Sequence, residues 1–415
     1  MRHTLILTAL VVLFASQALT AQSYKATALK TLPKGSASQT QVWAINNSGV
    51  IAGSCSQPSH LHPCIWSTNG TAQDLGLPNN VGNGISYGIN NSGQVAGTIS
   101  TSSNSFAFNW TQTGGLQTIS GLGSAAAIND SGDIAGTAFT GSSVHGYFYN
   151  PASGLTDLGS LPGVKGGVFP SGINSAGHVV GYSGASIYLP IAFLWTNSSG
   201  ISELVPGSGL NYEALAINNS EEVVGTVYNS GDGYWHAFQW SQSTGLQDLG
   251  VGEAVGIDDA GNIVGDNGTT AVIWLKGSTT PKTLDSLIGG KTPPVLYTAI
   301  ALNASGQIVS SGAKTGYLLT PTTKTSLTSS PNPSNIGQAV TFTATVTSII
   351  SKPPNGEQVK FSSGTVVLGS APLSNGVATF TTSSLIKGTN SITATYAGDP
   401  NFVGSKSAVL KQVVQ

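Results

Sequence analysis

The sequence predicts an all-β protein, a seven-bladed β-propeller followed by an Ig-like β-sandwich, and three observations lead there. A unit of the form small-Ile-Asn-x-x-Gly-x-aliphatic-x-Gly recurs seven times, anchored at Ile45, Ile89, Ile128, Ile173, Ile217, Ile257 and Leu302. Successive anchors lie 39 to 45 residues apart, the period of a four-stranded propeller blade. After Pro321 the pattern stops and alternating Thr, Ser and Val segments take over.

Each repeat supplies its strands in the same order. The Ile-Asn segment is the inner strand, and Asn and Gly behind it suit a tight turn, because Asn bonds its own backbone and Gly accepts positive φ. The aliphatic-x-Gly segment is the second strand. A third follows and ends in an aromatic, as in Phe106-Ala107-Phe108-Asn109-Trp110 and His236-Ala237-Phe238-Gln239-Trp240. The outer strand is of the Leu-x-Asp-Leu-Gly type, as in Leu246-Gln247-Asp248-Leu249-Gly250. Blade seven lacks an outer strand, and residues 24–29 ahead of the first repeat are placed to supply it, closing the ring without an open edge.

The first 21 residues read as an export signal, with Arg2 and His3 before an apolar stretch at residues 5–14 and a small-residue cleavage region. That puts the propeller at residues 22–320 and the sandwich at 321–415. No later stretch approaches the roughly 18–20 uninterrupted apolar residues of a membrane span. Only 8% of residues are charged and the net charge is -2, so clustered basic groups for nucleic acid are absent.

The repeat array resembles the HAF-repeat family of extracellular bacterial proteins, with His236-Ala237-Phe238 as the literal motif and His145-Gly146-Tyr147 and Phe106-Ala107-Phe108 as degenerate copies. The resemblance covers residues 24 to 320 and implies export and a repeat fold, with no catalytic residues to carry over. In the C-terminal part, Tyr396-Ala397-Gly398-Asp399-Pro400-Asn401-Phe402 resembles the end motif of bacterial Ig-like repeats, which implies a spacer or adhesion module.

Candidate chemistry is sparse. Cys55 and Cys64 flank a loop in the first blade. They suit a disulfide or, with His60 and His62, a metal site, and an oxidising compartment favours the disulfide. The acidic turns at Asn129-Asp130-Ser131-Gly132-Asp133 and Asp258-Asp259-Ala260-Gly261-Asn262 offer oxygens to calcium but repeat a turn that elsewhere lacks carboxylates, so a structural role is expected. Asp74, Asp157 and Asp248 recur at one blade position, which argues for a repeated structural bond. Glu221 and Glu222, adjacent on one turn, read as a charged turn rather than an acid-base pair. No nucleophile elbow, zinc helix, phosphate loop or cofactor motif occurs.

In a meander running outward from the axis, the turns after the inner and third strands share one face of the ring. Loops of unequal length share the other, and recognition is expected there. Its most aromatic part lies on blades four and five, with Phe169 and Tyr212 in crossings, Tyr182 and Tyr188 in one loop, and Tyr228, Asp232, Tyr234 and Trp235 in the next. Tyr182, Tyr188, Tyr212, Tyr228, Asp232, Tyr234 and Trp235 are therefore the expected ligand-binding residues of a secreted, non-catalytic recognition protein. The expected partner is an extracellular glycan or protein surface. The rival expectation is a hydrolase or lyase acting on polysaccharide.

Overall fold

In the computed structural model, which describes residues 23–33, 40–78, 82–141, 143–184, 190–289, 292–313 and 315–415, seven antiparallel four-stranded sheets follow one another along the chain. The expected export signal lies outside the described residues, and so does Tyr188. The first blade is Gln41–Ile45, Ile51–Ser56, Leu61–Trp66 and Ala72–Asp74. The next five repeat that order. The last blade has Leu296–Leu302, Ile308–Gly312 and Gly316–Pro321, and its fourth strand is Tyr24–Ala28, paired from Tyr24 with Pro321 to Ala28 with Tyr317. The ring is therefore sealed by strands from its two ends.

The repeat pattern follows from cross-strand packing. In five blades the aliphatic residue that opens the second strand faces a tryptophan near the end of the third: Ile51 pairs with Trp66, Val95 with Trp110, Val179 with Trp195, Val223 with Trp240 and Ile263 with Trp274. All ten side chains are buried between blades. Each such residue contributes roughly 1.5–3 kcal/mol of burial, which gives the blades their adhesion. The small residue before each anchor is required by crowding at the axis, since a Cβ on Gly172 would lie 3.2 Å from the Cα of Ala216 in the next blade.

The recurrent Asn holds neighbouring blades together. On the turn face, Asn46 Nδ2 donates to the carbonyl of Asn90 (3.1 Å), Asn90 to Asn129, Asn129 to Asn174, Asn174 to Asn218, Asn218 to Asp258, and Asn303 back to Asn46 (2.9 Å). A second tier bonds the backbone N–H of Asn47 to Asn91 Oδ1, of Asn91 to Asp130, of Asn219 to Asp259 and of Ala304 to Asn47. One side chain therefore serves both its own turn and the adjoining blade.

Beyond Pro321, Lys324–Ser330, Val340–Thr347 and Val377–Thr382 form one sheet, and Gln358–Ser363, Val366–Pro372, Gly388–Gly398, Val403–Lys406 and Leu410–Val414 the other. Phe342, Phe361 and Tyr396 fill the space between them. This sandwich touches the turn face of blades seven and one. Gln307 Nε2 donates to the carbonyl of Pro400, Ser351 Oγ to that of Ser305, and Asn401 Nδ2 to that of Asn47. The loop face lies on the opposite side of the ring.

Candidate functional site

Every inner strand bulges by one residue at the same place, and that of blade seven bulges a second time between Leu296 and Thr298. The ladder slips between Val42 and Ala44, Ser86 and Gly88, Ala125 and Ala127, Pro170 and Gly172, Ala214 and Ala216, Ala254 and Gly256, and Ala299 and Ala301. A bulge leaves its extra residue out of the ladder and re-aims its side chain. Here the extra residues Trp43, Tyr87, Ala126, Ser171, Leu215, Val255 and Ile300 ring a cavity of about 330 Å³ on the axis, with Ser124 and Ala125 at its side. Six of the seven second strands meet the bulge with a glycine, because a Cβ on Gly53, Gly97, Gly136, Gly181, Gly225 or Gly265 would collide with an inner-strand carbonyl, and blade seven carries Ser310 there.

Five of the seven axial positions are small or aliphatic, and two neighbours are aromatic. Trp43 and Tyr87 meet with ring centroids 5.3 Å apart at 57°. Trp43 is still 40% exposed at the centre of the ring, because nothing of its size stands opposite. Burial raises the Tyr87 phenol above its ordinary pKa. Two residues nearer the loop face on the strands of blades five and six stand Glu213 and Glu253. Burial, and then the neighbouring carboxylates of Glu253 and Asp266 respectively, raise both above the usual carboxylate range. The funnel's own lining joins this aromatic wall to small and aliphatic residues, and Glu213 and Glu253 are not part of it. Toward the turn face the seven anchors lie between it and a polar vestibule of about 260 Å³ lined by the Asn ring.

A second concavity lies on the loop face between blades two and three. Its volume is about 760 Å³, and it is walled by Thr101, Ser103, Asn104 and Ser105 on one side and Thr137 to Phe139 on the other, with residues 118–124 beneath. Ser124 lines both this groove and the axial funnel.

The aromatic residues expected to bind ligand are distributed differently. Tyr212 is fully buried at the start of its inner strand, packed on Phe238 with its hydroxyl accepting from the N–H of Val205. It belongs to the core and not to a crossing. Tyr182 lies within the strand Val179–Gly184, stacked at 5.1 Å on Phe169, and Tyr228 within Val223–Asn229. Tyr228 meets Trp235 edge to face at 5.7 Å, Tyr234 is 61% exposed beside them, and Asp232 is bonded to His236. None of these six described residues lines the funnel or the groove. The bulged axial position is the variable slot inside an otherwise constant motif, and that variability is its only signal in the sequence.

The remaining candidates have structural partners. Cys55 and Cys64 form a disulfide across the second and third strands of blade one, with Cα atoms 5.8 Å apart, so neither thiolate is left for a metal. His62, His145 and His236 hold Asp74, Asp157 and Asp248 through Nδ1 at 2.8–2.9 Å, which is the repeated bond expected of those aspartates. Asp133 accepts from Asn129 and Asn150, and Asp258 from Asn262, which occupies the oxygens a calcium ion would need. Glu222 accepts from Asn218 and Gln239, and Glu221 lies 3.0 Å from His178.

Residues 327–415 match the family described as bacterial Ig-like domain (group 3). Among curated proteins none matches the chain. Distant likenesses of shape exist among solved structures. TolB from Acinetobacter baumannii is 13% identical over 66% of this chain and 64% of its own, with a TM-score of 0.42. An extracellular domain assigned to a hybrid two-component system of B. thetaiotaomicron is 11% identical over 92% of this chain and 47% of its own, at 0.44. A puromycin hydrolase mutant complexed with PGG is 14% identical over 72% and 55%, at 0.45. The chain thus spans between 47% and 64% of the length of these structures.

Proposed function

We propose that the chain is an exported HAF-type repeat protein that works outside the cell as a non-catalytic recognition module and binds carbohydrate in the axial funnel. The observation that carries this reading is the break in sevenfold symmetry at the axis, where Trp43 and Tyr87 alone present rings to solvent inside a cavity. A scaffold needs no aromatic there, since Ala126 and Ser171 serve equally well in the same strand position. Aromatic faces stack on the C–H surface of a sugar ring, which is what Trp43 and Tyr87 offer inside the funnel. An extracellular setting accords with the Cys55–Cys64 disulfide, with the Ig-like domain, and with described residues in which no helix is long and apolar enough to cross a membrane.

The test is binding of the purified chain to a glycan array, followed by calorimetry with the best hit. Trp43→Ala is expected to weaken binding about tenfold or more without moving the unfolding midpoint. If no glycan is retained, or Trp43→Ala binds as the wild type does, the reading is wrong. The raised carboxyls of Glu213 and Glu253 favour one rival, a polysaccharide hydrolase. Release of reducing ends by the wild type, abolished in Glu213→Gln or Glu253→Gln, would establish it.

A further inference from the structure

The groove between blades two and three has no counterpart in the repeat logic. Its walls are the loop at residues 101–104, the crossing at residues 118–123 and the end of the second strand of blade three. Phe106 and Phe139 stand on it, 41% and 76% exposed. Single exposed rings are ordinary, but two that line the same concavity form an apolar patch of the kind found at ligand-binding grooves. Phe139 in particular buries little of itself against its own blade.

The polar part of the lining narrows the ligand. Hydroxyls of Thr, Ser and one Asn side chain supply it, together with backbone groups of a Gly-rich crossing, and no residue of the groove is titratable. A cation, a phosphate or an acidic chain would find no counter-charge, and a charge desolvated there would cost more than it gained. A chain of neutral hydroxyl-bearing rings matches both halves of the lining, with hydroxyls to hydroxyls and ring faces to Phe106 and Phe139.

Continuity with the axis settles the length. Ser124 lines both the groove and the Trp43–Tyr87 funnel, so the two cavities adjoin at this residue. The funnel alone lies at the small end of the roughly 300–1,000 Å³ usual for ligand pockets. The groove is more than twice as large.

We infer that the groove of blades two and three is an extension subsite for an uncharged polysaccharide, which lies along Phe139 and Phe106 and sends one end past Ser124 into the funnel. This rests on the carbohydrate reading of the funnel. The ligand class is therefore an extended neutral glycan, rather than a monosaccharide or an acidic polymer.

The experiment uses the full chain and graded neutral oligosaccharides, from monosaccharide to octasaccharide, of the backbone found on the array, with an acidic glycan series beside them. Affinity should climb with length and then level off. Phe139→Ala and Phe106→Ala should each weaken the long members roughly five- to tenfold while leaving the shortest member that binds unchanged. Trp43→Ala should weaken all of them. Phe139 is exposed enough that its unfolding midpoint should match the wild type, which keeps the comparison clean. Equal affinity for short and long members, both lost in Trp43→Ala, would overturn the groove and leave the funnel standing. Preference for the acidic series, or retention of peptides from a random library that Phe139→Ala abolishes, would overturn the ligand class. Retention of no glycan at all would overturn both readings together.

Discussion

His236 Nε2 lies 2.7 Å from Asp232 Oδ2, while its Nδ1 holds Asp248 at 2.9 Å. His62 and His145 show only the second of these bonds. Asp232 sits in the loop after Asn229, so the extra bond ties that loop to the third strand of blade five. A neutral imidazole has one N–H and can donate to one carboxylate, so both bonds require the cation.

Burial of His236 opposes its charge, but the bonds to Asp248 and Asp232 outweigh it and raise the ring above its ordinary 6.5. A folded pKa above the unfolded one means that the coupling stabilises fully below the unfolded pKa and is lost as pH rises through the folded one. The expected result is an imidazole NMR titration above 6.5 in the wild type, moved down in Asp232→Asn. Amide exchange of residues 229–234 should quicken over the same pH interval. An imidazole titration unmoved in Asp232→Asn would mean that the second bond does not form in solution.

Glu221 has φ of 59° where six other turns carry glycine, as at Gly93 with 81°. Left-handed backbone costs a side-chain-bearing residue about 1–2 kcal/mol. Glu221→Ala and Glu221→Gly both lose the contact with His178 and differ chiefly in this cost. The Gly variant should be the more stable of the two by about 1 kcal/mol in denaturant unfolding, after its greater unfolded-state entropy. Equal stabilities would mean that the fifth turn relaxes away from this conformation.

The Cys55–Cys64 bridge closes a short loop inside one blade. On the chain-entropy estimate its loss costs about 2–3 kcal/mol. Cys55→Ser with Cys64→Ser should lower stability by that amount, and the native chain should be lighter than the reduced chain by two hydrogens. A chelator should leave the unfolding midpoint of the native protein where it was. A midpoint that falls with chelator and recovers with zinc would restore the metal reading.

The ring and its seven blades were legible because apolar spacing and turn residues repeat, and each copy corroborates the others. The closing partnership of Tyr24–Ala28 with Gly316–Pro321 could be read from a missing strand at one end and a spare one at the other. The funnel was not legible, since whether a residue points into the blade or onto the axis depends on a one-residue slip of the ladder. Trp43 and Tyr87 carry no mark of that slip. Tyr212 misled for a related reason. The inner strand of blade five begins at Tyr212, ahead of the small residue Ala216 that opens its motif, which places that ring in the core.

The Asn ring has one gap, and it falls where blade six carries Asp258. A carboxylate cannot donate to the carbonyl of Asn303 as the amides of the other blades donate to theirs. Instead its Oδ2 accepts from Asn262 Nδ2, the reverse of blade three, where Asn129 donates to Asp133. Burial raises Asp258 above the carboxylate range, against the bonds from Asn262 and the turn backbone. Its ionised form is therefore a burden that vanishes below the unfolded pKa and grows as pH rises through the folded one. Asp258→Asn removes that burden, so its effect on stability should be more favourable at pH 7 than at pH 4. Adding Asn262→Asp restores an acceptor for the new amide and copies blade three, which completes the ring. The pair should gain about 1 kcal/mol over the wild type at pH 7, the net worth of one hydrogen bond. A loss of stability in the pair would show that the Asn ring follows the closure of the blades and does not help to hold them.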